Sequence, residues 1–236
     1  MGYHRLQMEK AVKSFPDDFV INFILGLSYA QQQNHELAKP YLQKSVELNP
    51  TSQDALSAYG FTLYQLEETD SALDYLNKSL EINSANAQVL GMLGMIYDSK
   101  EMWEECDKSY ELALAIDSTD ALVLNNYAYS LAERGIQLER ALEMSKQSLA
   151  ADPENPSYLD TYGWIFYKLG DYDKAKDYIE KAITFDRGNA VLLDHLGDVY
   201  FKLGDTAKAL ELWRESYEKD SSQENVKMKI ESKGLL

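Results

Sequence analysis

A large apolar residue followed by a very small one recurs at Leu25-Gly26, Tyr59-Gly60, Leu93-Gly94, Tyr127-Ala128, Tyr162-Gly163 and Leu196-Gly197, at spacings of 34, 34, 34, 35 and 34 residues. A second small residue follows in phase at Ala38, Ala72, Cys106, Ala141, Ala175 and Ala209, and a third at Ser45, Ser79, Ala113, Ser148, Ala182 and Ser216. Between them, apolar residues fall at helical spacing, as in Leu56, Tyr59, Leu63 and then Leu73, Leu76, Leu80, which predicts two short amphipathic helices per period. Small side chains where helices cross let the backbones approach closely. A hairpin of this kind leaves one apolar face bare, so it is stable only when stacked on a neighbour.

The turns agree with this reading. "KLGDYDKA" supplies Gly170 as a left-handed residue closing one helix and Asp171 or Asp173 to start the next. Pro50 and Pro153 follow second helices, where a helix must stop. With 45% apolar residues, 11% aromatics and no low-complexity linker, the 236 residues read as one continuous body.

The pattern resembles the tetratricopeptide repeat, whose 34 residues run through W, L-G, Y, A, F, A and P. Residues 87–120 carry it as Leu90, Leu93-Gly94, Tyr97, Cys106, Tyr110 and Ala113, with Ser118 where proline is usual. The resemblance covers 19–223 as six repeats: 19–52, 53–86, 87–120, 121–155, 156–189 and 190–223. It implies an all-α, right-handed α-solenoid of stacked antiparallel helix pairs, acting as a non-enzymatic scaffold for protein–protein interaction. Departures are Asn22 for the large apolar opener, Ser145 for the second-helix aromatic, and one residue inserted in "AERGIQLERA". "LVLNNYAYSLAERG" and "YLDTYGWIFYKLGDYDKAKDYIEKAI" are similar to stretches of bacterial multi-repeat proteins, many of them in the cell envelope.

Residues 1–18 read as the second helix of a truncated preceding repeat, with His4, Met8, Ala11 and Pro16 in register and Leu6, Met8, Val12 and Phe15 on a helix lacking its partner. The expectation is an excised fragment with Met1-Gly2 left from expression, or a native start that docks against another copy. Residues 224–236 keep Val226 and Ile230 four apart among charged residues and read as a polar-backed capping helix.

No catalytic residue emerges. His4, His35 and His195 lie in different repeats without Cys or His at metal-ligand spacing, so neither metal nor cofactor is expected. Cys106 sits at the buried small-residue position and reads as a slightly large alanine. A formal charge of −16 opposes binding to nucleic acid, and no run of 18 apolar residues offers a membrane span. The resemblance places the first helix of each pair along a concave groove. Its ninth positions hold Leu27, Phe61, Met95, Tyr129, Trp164 and Asp198. Its twelfth hold Ala30, Tyr64, Asp98, Ala132, Tyr167 and Phe201, and its fifth and sixth include Asn125, Asn126, Asp160, Asp194 and His195. Tyr129, Trp164 and Tyr167 are therefore expected to anchor a peptide or protein segment whose main chain meets Asn125 and Asn126. Some family members clamp chaperone C-termini with Lys and Arg at the second, fifth and sixth positions, but residues such as Asp54, Ser57, Ala58, Gly91, Asp160 and Asp194 stand there in this chain, with no Lys or Arg. A basic or apolar partner suits this groove, a homo-oligomer is the second expectation, and the compartment is cytoplasm or the bacterial periplasm and envelope.

Overall fold

The computed structural model describes residues 9–235. After a short helix α1 at 9–14, six helix pairs follow: α2 (Phe19–Ala30) with α3 (His35–Leu48), α4 (Gln53–Gln65) with α5 (Thr69–Ile82), α6 (Ala87–Ser99) with α7 (Trp103–Ile116), α8 (Ala121–Glu133) with α9 (Leu138–Ala151), α10 (Pro156–Leu169) with α11 (Tyr172–Phe185), and α12 (Ala190–Lys202) with α13 (Thr206–Lys219). A last helix, α14 (Glu224–Ser232), closes the chain. Where the sequence suggests one continuous body, the chain divides into two compact units at Asp117/Ser118, each with three of these pairs and its own core. Residues 1–8, with His4, Leu6 and Met8 and the Met1-Gly2 start, lie outside the described residues. Val12 of α1 packs on the unit 1 core, Tyr29 donates to Glu9 at 2.6 Å, and Phe15 is 62% exposed.

Within each unit the first helices form one layer and the second helices another. α4 touches α2 and α6, and α3 and α5 lean on the first helix of the next pair; α10 relates in the same way to α8 and α12. The small residues sit where the two layers meet. All twelve of the second and third set, from Ala38 and Ser45 to Ala209 and Ser216, are fully buried. The glycine of each apolar–Gly pair faces the residue sixteen later. A methyl group on Gly94 would lie 2.6 Å from the Tyr110 ring, and one on Gly197 would lie 2.5 Å from the Trp213 ring. Asn22, a departure from the repeat pattern, is buried and donates from its amide to the Pro16 and Asp18 carbonyls at 2.9 and 2.8 Å.

A second in-phase series starts the first helices. The side chains of Asp18, Ser52, Asn86, Asp120, Asn155 and Asn189 each accept from backbone N–H groups of the turn they begin. Inside each pair the turn passes through a left-handed residue. Unit 2 uses Gly135, Gly170 and Gly204 there, whereas unit 1 uses Gln33, Glu67 and Glu101, at φ 58, 62 and 57°. The inserted residue of the fourth pair adds a second left-handed position, Gln137 at φ 49°.

Two stability measurements follow from this packing. Gly197→Ala is expected to lower the urea-unfolding stability of unit 2 by about 1–3 kcal/mol through overpacking, whereas Gly188→Ala, with its nearest neighbour at 3.8 Å, stays within about 0.5 kcal/mol of wild type. Glu67→Gly is expected to stabilise unit 1 by about 0.5–1 kcal/mol by removing a side chain from a left-handed position.

Candidate functional site

The six-pair register brings side chains from α8, α10, α12 and α14 around a recess of about 430 Å³ in unit 2, lined by Tyr129, Glu133, Trp164, Val191, Asp194, His195, Asp198, Gln223, Asn225 and Lys229. Trp164 forms its wall. Its ring stacks on His195 at 4.0 Å and 13° and on Tyr167 at 4.5 Å and 6°, its indole N–H donates to Glu133, and the Lys168 ammonium lies 5.1 Å from the ring centre. Tyr129 also approaches His195, at 6.3 Å between rings tilted by 34°.

Two buried ion pairs floor the recess, and they repeat. His195 Nδ1 lies 3.0 Å from both carboxylate oxygens of Asp160 and donates to them. Thirty-four residues later at both positions, Lys229 Nζ donates to Asp194 Oδ1 at 2.8 Å, and it also donates to both Asp198 oxygens at 2.7 and 2.9 Å. In both cases the sixth residue of one repeat meets the fifth residue of the preceding repeat. The Trp213 indole also donates to Asp198, at 2.9 Å.

These surroundings set the titration behaviour. Burial pulls the His195 imidazole down, but the Asp160 carboxylate and its hydrogen bond, with Asp194 and Glu133 beyond, outweigh burial and hold it above its ordinary value. Burial raises Asp198, with Asp194 adding to the rise, while Lys229 and Trp213 oppose it. Burial likewise pushes the Tyr167 hydroxyl up. Among the described residues no three His, Cys, Asp or Glu side chains stand where they could hold a metal ion, and no helix is long and apolar enough to cross a membrane.

The residues marked from the sequence fall into two groups. Phe61, Tyr64 and Met95 belong to the first-helix layer of unit 1, half-buried, with Phe61 edge-on to His35 at 6.3 Å. Asn125, Asn126, Tyr129, Asp160, Trp164, Tyr167, Asp194, Asp198 and Phe201 belong to unit 2. One expectation needs correction there. Trp164 is only 5% exposed and already sandwiched between rings, so it is a wall and not a projecting anchor; half-buried Tyr129 and Tyr167 are the more accessible rings. Asp160, Asp194 and Asp198 are buried as well and matched by the chain's own His195 and Lys229. Asn125 is buried, donating to Asn126 Oδ1 at 3.4 Å, and its own carbonyl oxygen has no hydrogen bond. Phe201 leans on Trp213 at 5.8 Å. Lys229 joins this group from outside the six repeats, and continuing the register one repeat further makes it a sixth-position residue, like His195.

Thirty-four-residue helix pairs, layered and capped in phase, define a helical-repeat scaffold for protein–protein interaction. Sequence models described as tetratricopeptide repeat match residues 5–52, 29–96, 87–120 and 156–189, and the chain belongs to the tetratricopeptide repeat family. It is similar to the type IV pilus assembly protein PilF of Pseudomonas aeruginosa, 29% identical over 162 residues, which covers 67% of this chain and 50% of PilF. It therefore spans half of that relative's length, and only 13% of a second, a TPR repeat-containing protein of the same species, 29% identical over 79 residues. Solved structures share the fold. The APC/C hetero-tetramer Cut9–Hcn1 superposes with a TM-score of 0.86 at 16% identity, covering 97% of this chain and 45% of that one. PilW, a type IV pilus biogenesis factor, superposes with a TM-score of 0.74 at 20% identity, covering 89% and 97%.

The raised imidazole gives a pH test. Its contribution to stability is fully present below the unfolded value of about 6.5 and is lost as pH rises through the folded value. Urea midpoints of the wild type are expected to fall between pH 6 and 9, and His195→Gln is expected to remove most of that slope.

Proposed function

We propose that the chain is a non-enzymatic scaffold whose first-helix faces capture a protein segment, and that the segment is apolar with basic residues at its edges. The observation that carries this reading is the first-helix layer of unit 1. α2, α4 and α6 contain no lysine or arginine, and their only charges are Asp54 and Asp98. On α2, Val20, Ile24 and Leu27 share one helical face, with Val20 and Ile24 56% and 43% exposed; Phe61, Met92 and Met95 are half-buried on the neighbouring helices. The second helices of the same unit also expose apolar residues, among them Leu37, Ile82, Trp103, Leu112 and Ile116, but set among charged ones, so apolar surface with almost no charge is what distinguishes the first layer. Methionine and aromatic side chains adapt to an apolar ligand, and the two aspartates favour positive charge at its flanks. In unit 2, Tyr129 and Tyr167 are the contact rings of the same reading, Asn126 meets the segment's main chain with buried Asn125 donating to it, and Trp164 supports them.

The similarity to PilF supports placing this capture in the assembly of a type IV pilus or a related surface structure, and so in the cell envelope. An acidic chain of net charge −16 disfavours nucleic acid as the captured partner. Deleting the gene in the organism that carries it is expected to reduce surface piliation; unchanged piliation removes the pilus assignment and leaves the scaffold reading.

Peptides selected from a displayed random library against the full chain provide the binding test. Val20→Asp with Ile24→Asp is expected to weaken the selected peptides at least tenfold, while Leu37→Asp, equally exposed but on α3, leaves them unchanged. Peptides that respond to Leu37→Asp and ignore the α2 pair would place capture on the wrong layer and defeat the proposal.

A further inference from the structure

Helix α14 forms one wall of the unit 2 recess through Gln223, Asn225 and Lys229, while α8, α10 and α12 form the rest. It has nine residues, no side-chain hydrogen bond at its N-cap, and only Val226 and Lys229 buried along its length. A helix this short has little stability of its own. What holds it is a seam of Val226, Ile230 and Leu235 on Trp213 and its neighbours, and the Lys229 ammonium between Asp194 and Asp198.

The charge contact has an unusual energetic character. Asp194, Asp198 and Lys229 are 7%, 6% and 8% exposed, so neither side of the pair is bathed in water. Lifting α14 with nothing in its place takes away the one ammonium that lies between two neighbouring carboxylates and leaves like charges facing each other, which is unfavourable. Lifting it while another ammonium takes the vacated position leaves the carboxylates satisfied and frees Lys229 into water, which is nearly neutral. The same geometry therefore locks α14 against spontaneous opening and selects the chemistry of whatever opens it.

We propose that α14 is a strap over the recess fastened by an exchangeable ammonium, and that a partner segment presenting a lysine releases it by replacing Lys229 between Asp194 and Asp198. An apolar residue three positions before that lysine, as Val226 stands before Lys229, lets the incoming segment reuse the Trp213 seam. A segment without a cation finds the strap closed. The inference concerns unit 2 alone, and its test does not depend on the α2 surface.

The probe is a labelled synthetic peptide with the sequence of residues 223–236, added in trans to the full chain, beside the same peptide with Lys229→Met. The full chain carrying Lys229→Gln is expected to bind the lysine peptide at least tenfold more tightly than the wild-type chain does, and at least tenfold more tightly than it binds the methionine peptide. Equal binding of the two peptides, or no gain over the wild-type chain, overturns the proposal. A second measurement covers the case in which the variant folds poorly: hydrogen exchange of the wild-type chain with saturating lysine peptide is expected to speed the α14 amides at 226–232 at least tenfold. Unchanged exchange there while the peptide is bound elsewhere overturns it equally.

Discussion

Everything in this molecule depends on two helix layers being able to approach to backbone contact at one point in each pair. Gly26, Gly60, Gly94, Gly163 and Gly197 each lie under a large side chain sixteen residues later, Leu42, Leu76, Tyr110, Ile179 and Trp213, at a distance that admits no additional carbon atom without displacing it. In the fourth pair Ala128 takes the glycine's place and, because of the inserted residue, buried Ser145 stands where the other pairs have the large side chain, four residues after Ala141. Because a hairpin closed this way still has a bare flank, the next hairpin is part of the same core. Burial is local in sequence, and each core cluster draws on neighbouring pairs.

That local construction leaves the first-helix faces free of structural duty, and the two units use the freedom differently. Unit 1 spends almost no charge there and keeps apolar side chains in contact with water. Unit 2 places carboxylates at the same register positions and then satisfies them internally, through His195 and Lys229. Buried ion pairs add little net stability over apolar packing, yet breaking one of them is costly. Their effect is to make the arrangement of α10, α12 and α14 specific, and to make it responsive to protonation and to competing cations.

Much of the fold was legible because its signals repeat. One Gly170 after "KL" is a weak turn signal; the same signal in phase with Gly204, with buried Ala175 and Ala209 following each, is a strong one. The N-caps at Asp18, Ser52, Asn86, Asp120, Asn155 and Asn189 were equally periodic and equally readable. The site was legible only in part. Tyr129, Trp164, Asp194 and Asp198 do come together around the unit 2 recess, with Asp160 held to it through His195, but whether a ring projects or is sandwiched depends on which side chain arrives from the next repeat.

The sequence by itself determined the helix pairs, their register and the columns of small residues, because those follow from contacts within one period or between adjacent periods. Only the tertiary structure decided the exposure of Trp164 and the charge state of the recess. Those depend on His195 and Lys229 reaching back 35 residues to Asp160 and Asp194, and a side chain's partner across a helix layer is set by distance in space, which periodicity alone does not give.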